Sequence, residues 1–302
     1  MTIPSWVYYQ AVFLLGLLAL FMCWNLLCQW LGRARARAGD YAGADRWYQL
    51  TFNHRQRMGG WVNIAAAQAL AGDPVAAEKR FREVFDDSRR RRDRELERLA
   101  LVNLGASLIT QGRTVEATPI LEWVVRGWRR HPRETATALY NLAWIAFLEG
   151  DFEGAGRRTA VVRGAARRPG PDLACLMSLM EARLATRAGR FDEARRSLGL
   201  AERHARTAVD PGLADQVRVA EGVLDYRRGD REQGLAKVLA GAGAVRPADR
   251  RDLAARWLSG LARIAREQGD EAGAARLEPA AAGLRGILPI PSPEDCAAYL
   301  RA

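Results

Sequence analysis

The sequence predicts an all-α protein: an α-solenoid of antiparallel helix pairs, preceded by one N-terminal transmembrane helix. Three observations lead to this expectation: an uncharged apolar N-terminal segment, a glycine–alanine motif that recurs at a nearly regular interval, and no evident strand pattern along the 302 residues. Apolar residues spaced three and four apart are typical of helices with one buried face. We expect an anchor at residues 1–32, a solenoid at residues 33–285 and a Pro-containing tail at residues 286–302 that caps it.

The anchor is predicted from residues 1–32, which contain no charged side chain. As a helix, residues 6–30 would be roughly 37 Å long, enough to cross a hydrocarbon core of about 30 Å with some tilt. Trp6 and Tyr9 stand near one end, and Trp24 and Trp30 near the other, as in the aromatic belts of membrane helices. The alternatives are a buried core helix and a cleaved or lipidated leader. A cleaved leader would need basic residues before its apolar segment, and this chain has none there. A lipidated leader would need a small residue before Cys28, and Leu27 is too large.

The orientation of the anchor follows from its flanking charges. Arg33, Arg35 and Arg37 follow the apolar segment, and no charged side chain precedes it. Positive flanks stay on the cytoplasmic side, so we expect a single-pass protein of the inner (cell) membrane with its N-terminus outside and its repeats in the cytoplasm. The inverted topology is the alternative.

The solenoid is predicted from seven glycines, 33 to 40 residues apart, six of which are followed five residues later by alanine. The glycines are Gly39, Gly72, Gly112, Gly150, Gly189, Gly229 and Gly269. Glycine just past a helix adopts the left-handed conformation without a Cβ clash, and alanine allows the next helix to approach closely. Neither helix buries its apolar face alone, so successive pairs must stack.

These units resemble the tetratricopeptide repeat (TPR) family. The third unit carries the motif at Leu101, Leu104, Gly105, Leu108, Gly112, Ala117, Leu121 and Pro132. The resemblance covers most of the chain outside the anchor and tail, with two departures: the interval is mostly 38–40 residues rather than 34, and Glu181 and Glu221 stand where leucine is expected. It implies a TPR-like solenoid of about six repeats, with a concave groove along the first helices that holds a peptide or helix.

The first repeat has little sequence of its own. Only residues 31–38 separate the apolar segment from Gly39. We therefore expect a leading half repeat in which the anchor helix itself continues out of the membrane and supplies the first helix.

The predicted groove contains polar, aromatic and basic residues on the first helices. Asparagine recurs nine residues before the glycine in three repeats, and its amide offers a donor and an acceptor to a peptide backbone; the alternative is family consensus without a role. Aromatic residues of the fourth repeat form either core or an anchor pocket. The predicted groove residues are Asn63, Asn103, Asn141, Tyr140, Trp144, Arg183 and Arg263.

Groove positions where a dicarboxylate clamp of this family needs Lys or Arg are occupied by other residues. They include Leu99, Val102, Thr137 and Tyr140. The sequence therefore does not support binding of chaperone C-termini.

The chain is basic, with a net charge of +11 and 46 Lys and Arg residues, of which only Lys79 and Lys237 are lysine. One explanation of the arginine excess is the base composition of the genome. The functional explanation is that the positive charge attracts anionic lipid, nucleic acid or an acidic partner. The residues expected to contact anionic lipid are Arg33, Arg35, Arg37, Arg89, Arg90, Arg91 and Arg92. For Arg89, Arg90, Arg91 and Arg92 the alternative is a solvent-exposed face that they share with Asp93, Glu95 and Glu97.

No catalytic motif is evident, and four scattered cysteines and three distant histidines are too few for a disulfide framework or a zinc site. We therefore expect no enzymatic activity, no cofactor and no metal. The predicted function is a membrane-anchored scaffold that binds a protein partner during assembly or regulation of a membrane complex. The alternatives are an extracytoplasmic accessory of a secretion or envelope machine and a regulatory module that binds nucleic acid.

Overall fold

The computed structural model describes residues 5–71, 73–126, 131–165, 168–210, 212–244 and 251–285. Within these ranges the chain forms fourteen helices and no strand, which confirms the all-α prediction. The predicted capping tail at residues 286–302 lies outside the described residues. The helices are α1 (Ser5–Arg37), α2 (Tyr41–Gln49), α3 (His54–Leu70), α4 (Pro74–Arg90), α5 (Arg94–Thr110), α6 (Thr114–Val125), α7 (Pro132–Leu148), α8 (Phe152–Ala165), α9 (Pro171–Arg187), α10 (Phe191–Ala205), α11 (Gly212–Arg228), α12 (Arg231–Ala244), α13 (Arg251–Glu267) and α14 (Glu271–Arg285).

The chain divides into two compact units. Unit 1 comprises Met1–Ala69 and Val75–Asn103, and unit 2 comprises Leu70–Pro74 and Leu104–Ala302. In unit 2, α7 packs on α8, α9 on α10, α11 on α12 and α13 on α14, and successive pairs pack on one another. These are the antiparallel helix pairs that the sequence predicts.

The repeated glycines close the turns between paired helices. At Gly150, φ is +84°, the Gly150 amide donates to the Phe147 carbonyl over 3.2 Å, and the Asp151 amide donates to the Ala146 carbonyl over 2.9 Å. This is a Schellman motif, which requires a left-handed residue at the position after the helix. Five more glycines of the series share a positive φ: Gly39, Gly112, Gly189, Gly229 and Gly269.

The aspartate that often follows the glycine starts the next helix. The Asp151 carboxylate accepts a hydrogen bond from the Gly154 amide over 2.8 Å, as expected of an N-cap. A Cβ at Gly154 would lie 1.9 Å from that carboxylate, so the Asp151 side chain would have to move if another residue replaced this glycine. Asp40 and Asp270 form the same cap.

The alanines of the motif mark the closest approach of paired helices. Ala117, Ala155 and Ala194 are fully buried. At the one position where alanine is missing, a Cβ on Gly234 would lie 2.5 Å from the Tyr226 backbone nitrogen. Helices α11 and α12 therefore approach more closely than alanine allows, which explains the exception.

The two glutamates that depart from the family pattern lie in polar contacts of unit 2. Glu181 forms an ion pair with Arg163. The pKa of Glu221 is raised overall, because the effect of burial exceeds the opposing effect of the Lys237 charge. Nearby, the buried Asp225 carboxylate pairs with Lys237 at 2.6 Å. Charged contacts thus replace part of the apolar packing of the fifth and sixth repeats.

In unit 1, α1 runs unbroken from Ser5 to Arg37 and packs on α2, so the first helix pair uses the apolar helix itself. The Tyr48 ring lies between two glycines, because a Cβ at Gly32 or Gly60 would come within 2.6 or 2.3 Å of it. Among the described residues, α1 is one helix that is long and apolar enough to cross a membrane, with a mean hydropathy of 2.0 over its most apolar 18 residues within Val12–Arg37.

Candidate functional site

The structure distributes the predicted groove residues over both units. Asn63 on α3 and Asn103 on α5 belong to unit 1. The Asn103 amide donates to the Leu99 carbonyl of its own helix over 2.8 Å. In unit 2, the buried Asn141 Nδ2 finds no hydrogen-bond partner among the described residues. An unsatisfied buried donor costs about 1–3 kcal/mol, so Asn141 differs from Asn103, whose amide is satisfied within its own helix.

The aromatic residues of α7 divide between core and surface. Tyr140 is 6% exposed and belongs to a hydrophobic core cluster. Trp144 is half-buried and stacks on Phe147, with 5.3 Å between ring centroids. The Arg183 guanidinium lies 5.0 Å from the Trp144 ring centroid. Tyr140 therefore serves the core, whereas Trp144 and Arg183 form a cation–π pair at the surface.

A cleft next to this pair is lined by α7, α9, α11 and α13, the first helices of four successive pairs. It is partly open to solvent, and its cavity volume is about 60 Å³. Its walls are mostly apolar, with Arg183 as the charged residue. The lining residues are Phe147, Arg183, Thr186, Val219, Ala220, Val223, Trp257, Gly260, Leu261 and Ile264.

A cluster of three arginines lies near the C-terminal ends of the same helices: Arg187 on α9, Arg227 on α11 and Arg263 on α13. Arg263 pairs with Glu267 over 3.0 Å, and the Arg187 guanidinium stacks 3.8 Å from the Phe152 ring centroid. Burial lowers the pKa of Arg227, and so does the neighbouring charge of Arg187. Helix C-termini attract cations, which favours this placement.

The carboxylate of Glu267 pairs with Arg263, and its charge also acts on Arg187 and Arg227. Burial lowers the pKa of Arg187 too, with Glu267 opposing this effect and Arg263 adding to it. An anion at this cluster would be stabilised by charges that are already partly desolvated.

Sequence reasoning found Arg183 and Arg263 but missed Arg187 and Arg227. A signal was present, because both stand two residues before a repeat glycine, Gly189 and Gly229. Equal offsets from the repeat glycine place two residues at the same position of successive first helices.

The arginines predicted to contact lipid are exposed and belong to unit 1. Arg35 pairs with Asp40 over 2.7 Å, and Arg33 donates to the Gln29 carbonyl of its own helix over 3.3 Å. Arg89 and Arg90 lie in the last turn of α4. Arg90 and Arg91 pair with Asp87 at 3.8 and 3.4 Å. Arg37 ends α1, and Arg92 follows α4 with a φ of +59°.

Asp86 and Asp87 lie near the C-terminal end of α4. Burial alone would raise the pKa of Asp87, but the hydrogen bond with His54 and the nearby charges of His54 and Arg91 lower it overall. Among the described residues, no group of three or more His, Cys, Asp or Glu side chains could hold a metal ion.

Comparisons with known proteins agree with this architecture. The family model described as "Tetratricopeptide repeat" matches residues 99–123, 136–159 and 178–199, of which the last two fall on α7–α8 and α9–α10. A search of curated proteins found no match. Among solved structures, the chain is similar to a Rap protein complexed with competence and sporulation factor, with a TM-score of 0.67 and 11% identity over 87% of this chain and 74% of that chain. At this identity the likeness concerns the fold alone. Together with the repeated motif, these matches show tetratricopeptide repeats in three segments of the chain and a TPR-like α-solenoid fold.

Proposed function

We propose that the chain is a membrane-anchored scaffold that binds a protein partner, as a peptide or a helix, on the first-helix face of unit 2. The observation that carries this proposal is the apolar cleft beside the cluster of Arg187, Arg227 and Arg263. Proteins of the TPR class typically act as scaffolds for other proteins. The similar Rap protein is a complex with a competence and sporulation factor, so a comparable fold holds a ligand.

The chemistry of this face selects a ligand with an apolar anchor and nearby acidic groups. A leucine or aromatic side chain fits the cleft, where burial of one such side chain is worth about 1.5–3 kcal/mol. Carboxylates suit guanidinium groups because the two pair through parallel hydrogen bonds.

The membrane part of the proposal rests on α1. Its length, apolarity and exposed side chains suit a single span, and the arginines after it favour a cytoplasmic body. The scaffold would then act in assembly or regulation of a complex at the cytoplasmic face of the inner membrane.

Binding is tested with the full-length protein in nanodiscs and two series of short peptides. One series carries a leucine beside two glutamates, and the matched series carries glutamines instead. We expect the acidic series to bind at least about tenfold more tightly, because each charge-assisted hydrogen bond is worth about 1.5–3 kcal/mol and one such bond already gives that factor. Arg187→Gln combined with Arg227→Gln abolishes that preference.

The matched control is Arg157→Gln, because Arg157 on α8 is exposed and pairs with Glu153 of its own helix. It leaves the preference intact. Equal binding of both peptide series, or a preference that survives the double substitution, contradicts the proposed ligand chemistry. Binding of single-stranded RNA with steep salt dependence, in place of peptide, would favour the nucleic-acid alternative.

The orientation is tested separately with reporter fusions at the C-terminus. A fluorescent protein that matures and a phosphatase that stays inactive are expected for a cytoplasmic body. The opposite pair of results would favour the extracytoplasmic alternative.

A further inference from the structure

The loop of residues 50–53, which joins α2 to α3, packs against the middle of α1. Phe52 stacks on Phe21, with 5.0 Å between ring centroids. The Trp24 indole N–H donates to the Leu50 carbonyl over 3.2 Å, and the Phe52 amide donates to the Asn25 side chain over 3.2 Å. Asn25, a polar interruption of the apolar segment, is therefore a contact to this loop.

The same loop presents large apolar side chains to solvent. Phe52 is 67% exposed and Leu50 is 50% exposed, whereas Thr51 between them is buried. They adjoin the exposed apolar surface of α1, so the two form one continuous apolar patch.

The arginines at the end of α4 lie at this same end of unit 1. His54, the first residue of α3, contacts the Asp87 carboxylate over 2.6 Å. Arg55, the next residue, pairs with Asp93 over 3.2 Å. The segment of residues 89–92 therefore lies beside the loop, and it offers cations to anionic headgroups.

The length of α1 before the loop contact limits how it can cross a bilayer. The 17 residues at positions 5–21 form a helix of roughly 25 Å, about 5 Å short of a typical hydrocarbon core. Residues 50–53 are not helical, and lipid-exposed irregular backbone is not tolerated in hydrocarbon. On the loop side of α1, the hydrocarbon must therefore end near Phe21.

We propose that the loop of residues 50–53 is a second membrane contact, in which Leu50 and Phe52 insert into the boundary between headgroups and acyl chains beside Trp24. This inference rests on the proposed membrane anchor. It moves the cytoplasmic limit of the span from Trp30 to about Phe21 on the side that faces the loop. On the opposite side Leu26 and Trp30 are each 65% exposed, and tilt of α1 keeps them at the interface.

The test places the photoreactive amino acid p-benzoyl-phenylalanine at single positions of the full-length protein in nanodiscs of phosphatidylethanolamine and phosphatidylglycerol. It replaces Phe52 in the loop, Phe13 in α1 as the marker of the anchor, and Val115 on α6 as the control. Phe13 and Val115 are 66% and 85% exposed. After illumination, lipid adducts are measured by mass spectrometry.

We expect lipid adducts at positions 13 and 52, with a yield at position 52 about tenfold above that at position 115, as for a side chain held at the acyl boundary. Adducts at position 13 with only background yield at position 52 overturn the second contact and leave the anchor intact. Background yield at both positions overturns the anchor itself. A crosslinked protein dimer from position 52, in place of lipid adducts, would show that a second copy covers the loop.

Discussion

The α7–α8 and α11–α12 pairs of unit 2 share one turn geometry but have different interiors. The first closes at Gly150, approaches at Ala155 and is filled by aromatic residues such as Phe147. The second closes at Gly229, approaches at Gly234 and contains the buried Asp225 paired with Lys237. The turn therefore fixes the pairing of the helices, whereas the interior is free to change from packed rings to a closer backbone approach with an ion pair.

Substitution in the aromatic interior of the α7–α8 pair should have the largest effect on local stability. Phe147 is 1% exposed and contacts both Trp144 and Phe152. We expect Phe147→Ala to lower the local free energy of opening by about 3–5 kcal/mol, because it leaves a cavity. Hydrogen exchange of peptides from α7 and α8, read by mass spectrometry, measures it. A loss below about 1 kcal/mol would mean that the rings are not needed for this pair.

The residues at the closest approach of the paired helices, Gly234 and Ala155, predict the next effect. Alanine in place of Gly234 and glycine in place of Ala155 should each destabilise the helix pair that contains the substitution. Gly234→Ala should cost about 1–3 kcal/mol in α11–α12, because its Cβ meets the backbone of Tyr226 and Gly222. Ala155→Gly should cost about 1 kcal/mol in α7–α8 through helix propensity. Hydrogen exchange of each pair reports the two effects separately. If Gly234→Ala stabilised α11–α12, the inference that these two helices approach more closely than alanine allows would be wrong.

The buried ion pair predicts an intermediate effect. Asp225→Asn removes the charge that faces Lys237 over 2.6 Å, and the expected loss is about 1–2 kcal/mol. Asp225→Leu combined with Lys237→Met should recover much of that loss, because apolar residues often replace buried ion pairs without cost. Exchange of peptides from α11 and α12 checks both variants. No recovery in the double variant would assign the loss to packing rather than to unpaired charge.

Substitution of Glu221 should have the smallest effect on stability, and this effect should depend on pH. Burial raises its folded-state pKa above the usual 4.5, so its contribution to stability is present below that value and is lost as pH rises through the folded pKa. Glu221→Gln should therefore raise the thermal midpoint relative to the unsubstituted chain at pH about 7, and this advantage should shrink towards pH about 4. Glu232→Gln, at a 98% exposed side chain of α12, is the control. An advantage that does not change with pH would exclude the titration of Glu221 as its cause.

Much of the fold was predictable because its signals are local. The positive φ at Gly150 and the cap by Asp151 involve residues within a few positions of each other, so the turn is visible in the sequence. The same reasoning predicted that α1 continues into the first repeat, and the structure has one unbroken helix there.

Less of the candidate site was predictable. Asn63, Asn103 and Asn141 occupy equal positions in the sequence, but only the Asn141 amide is both buried and unsatisfied among the described residues. Tyr140 and Trp144 looked alike as aromatic residues of α7, yet the first lies in the core and the second pairs with Arg183.

The sequence by itself determined the helix pairs, their turns and the apolar N-terminal helix, because hydrogen bonds and steric limits between near neighbours impose them. Only the tertiary structure decided that Arg187, Arg227 and Arg263 cluster and that Phe52 lies against Phe21. These contacts join residues 31 or more positions apart along the chain, and their existence depends on how helices pack, which no local pattern encodes.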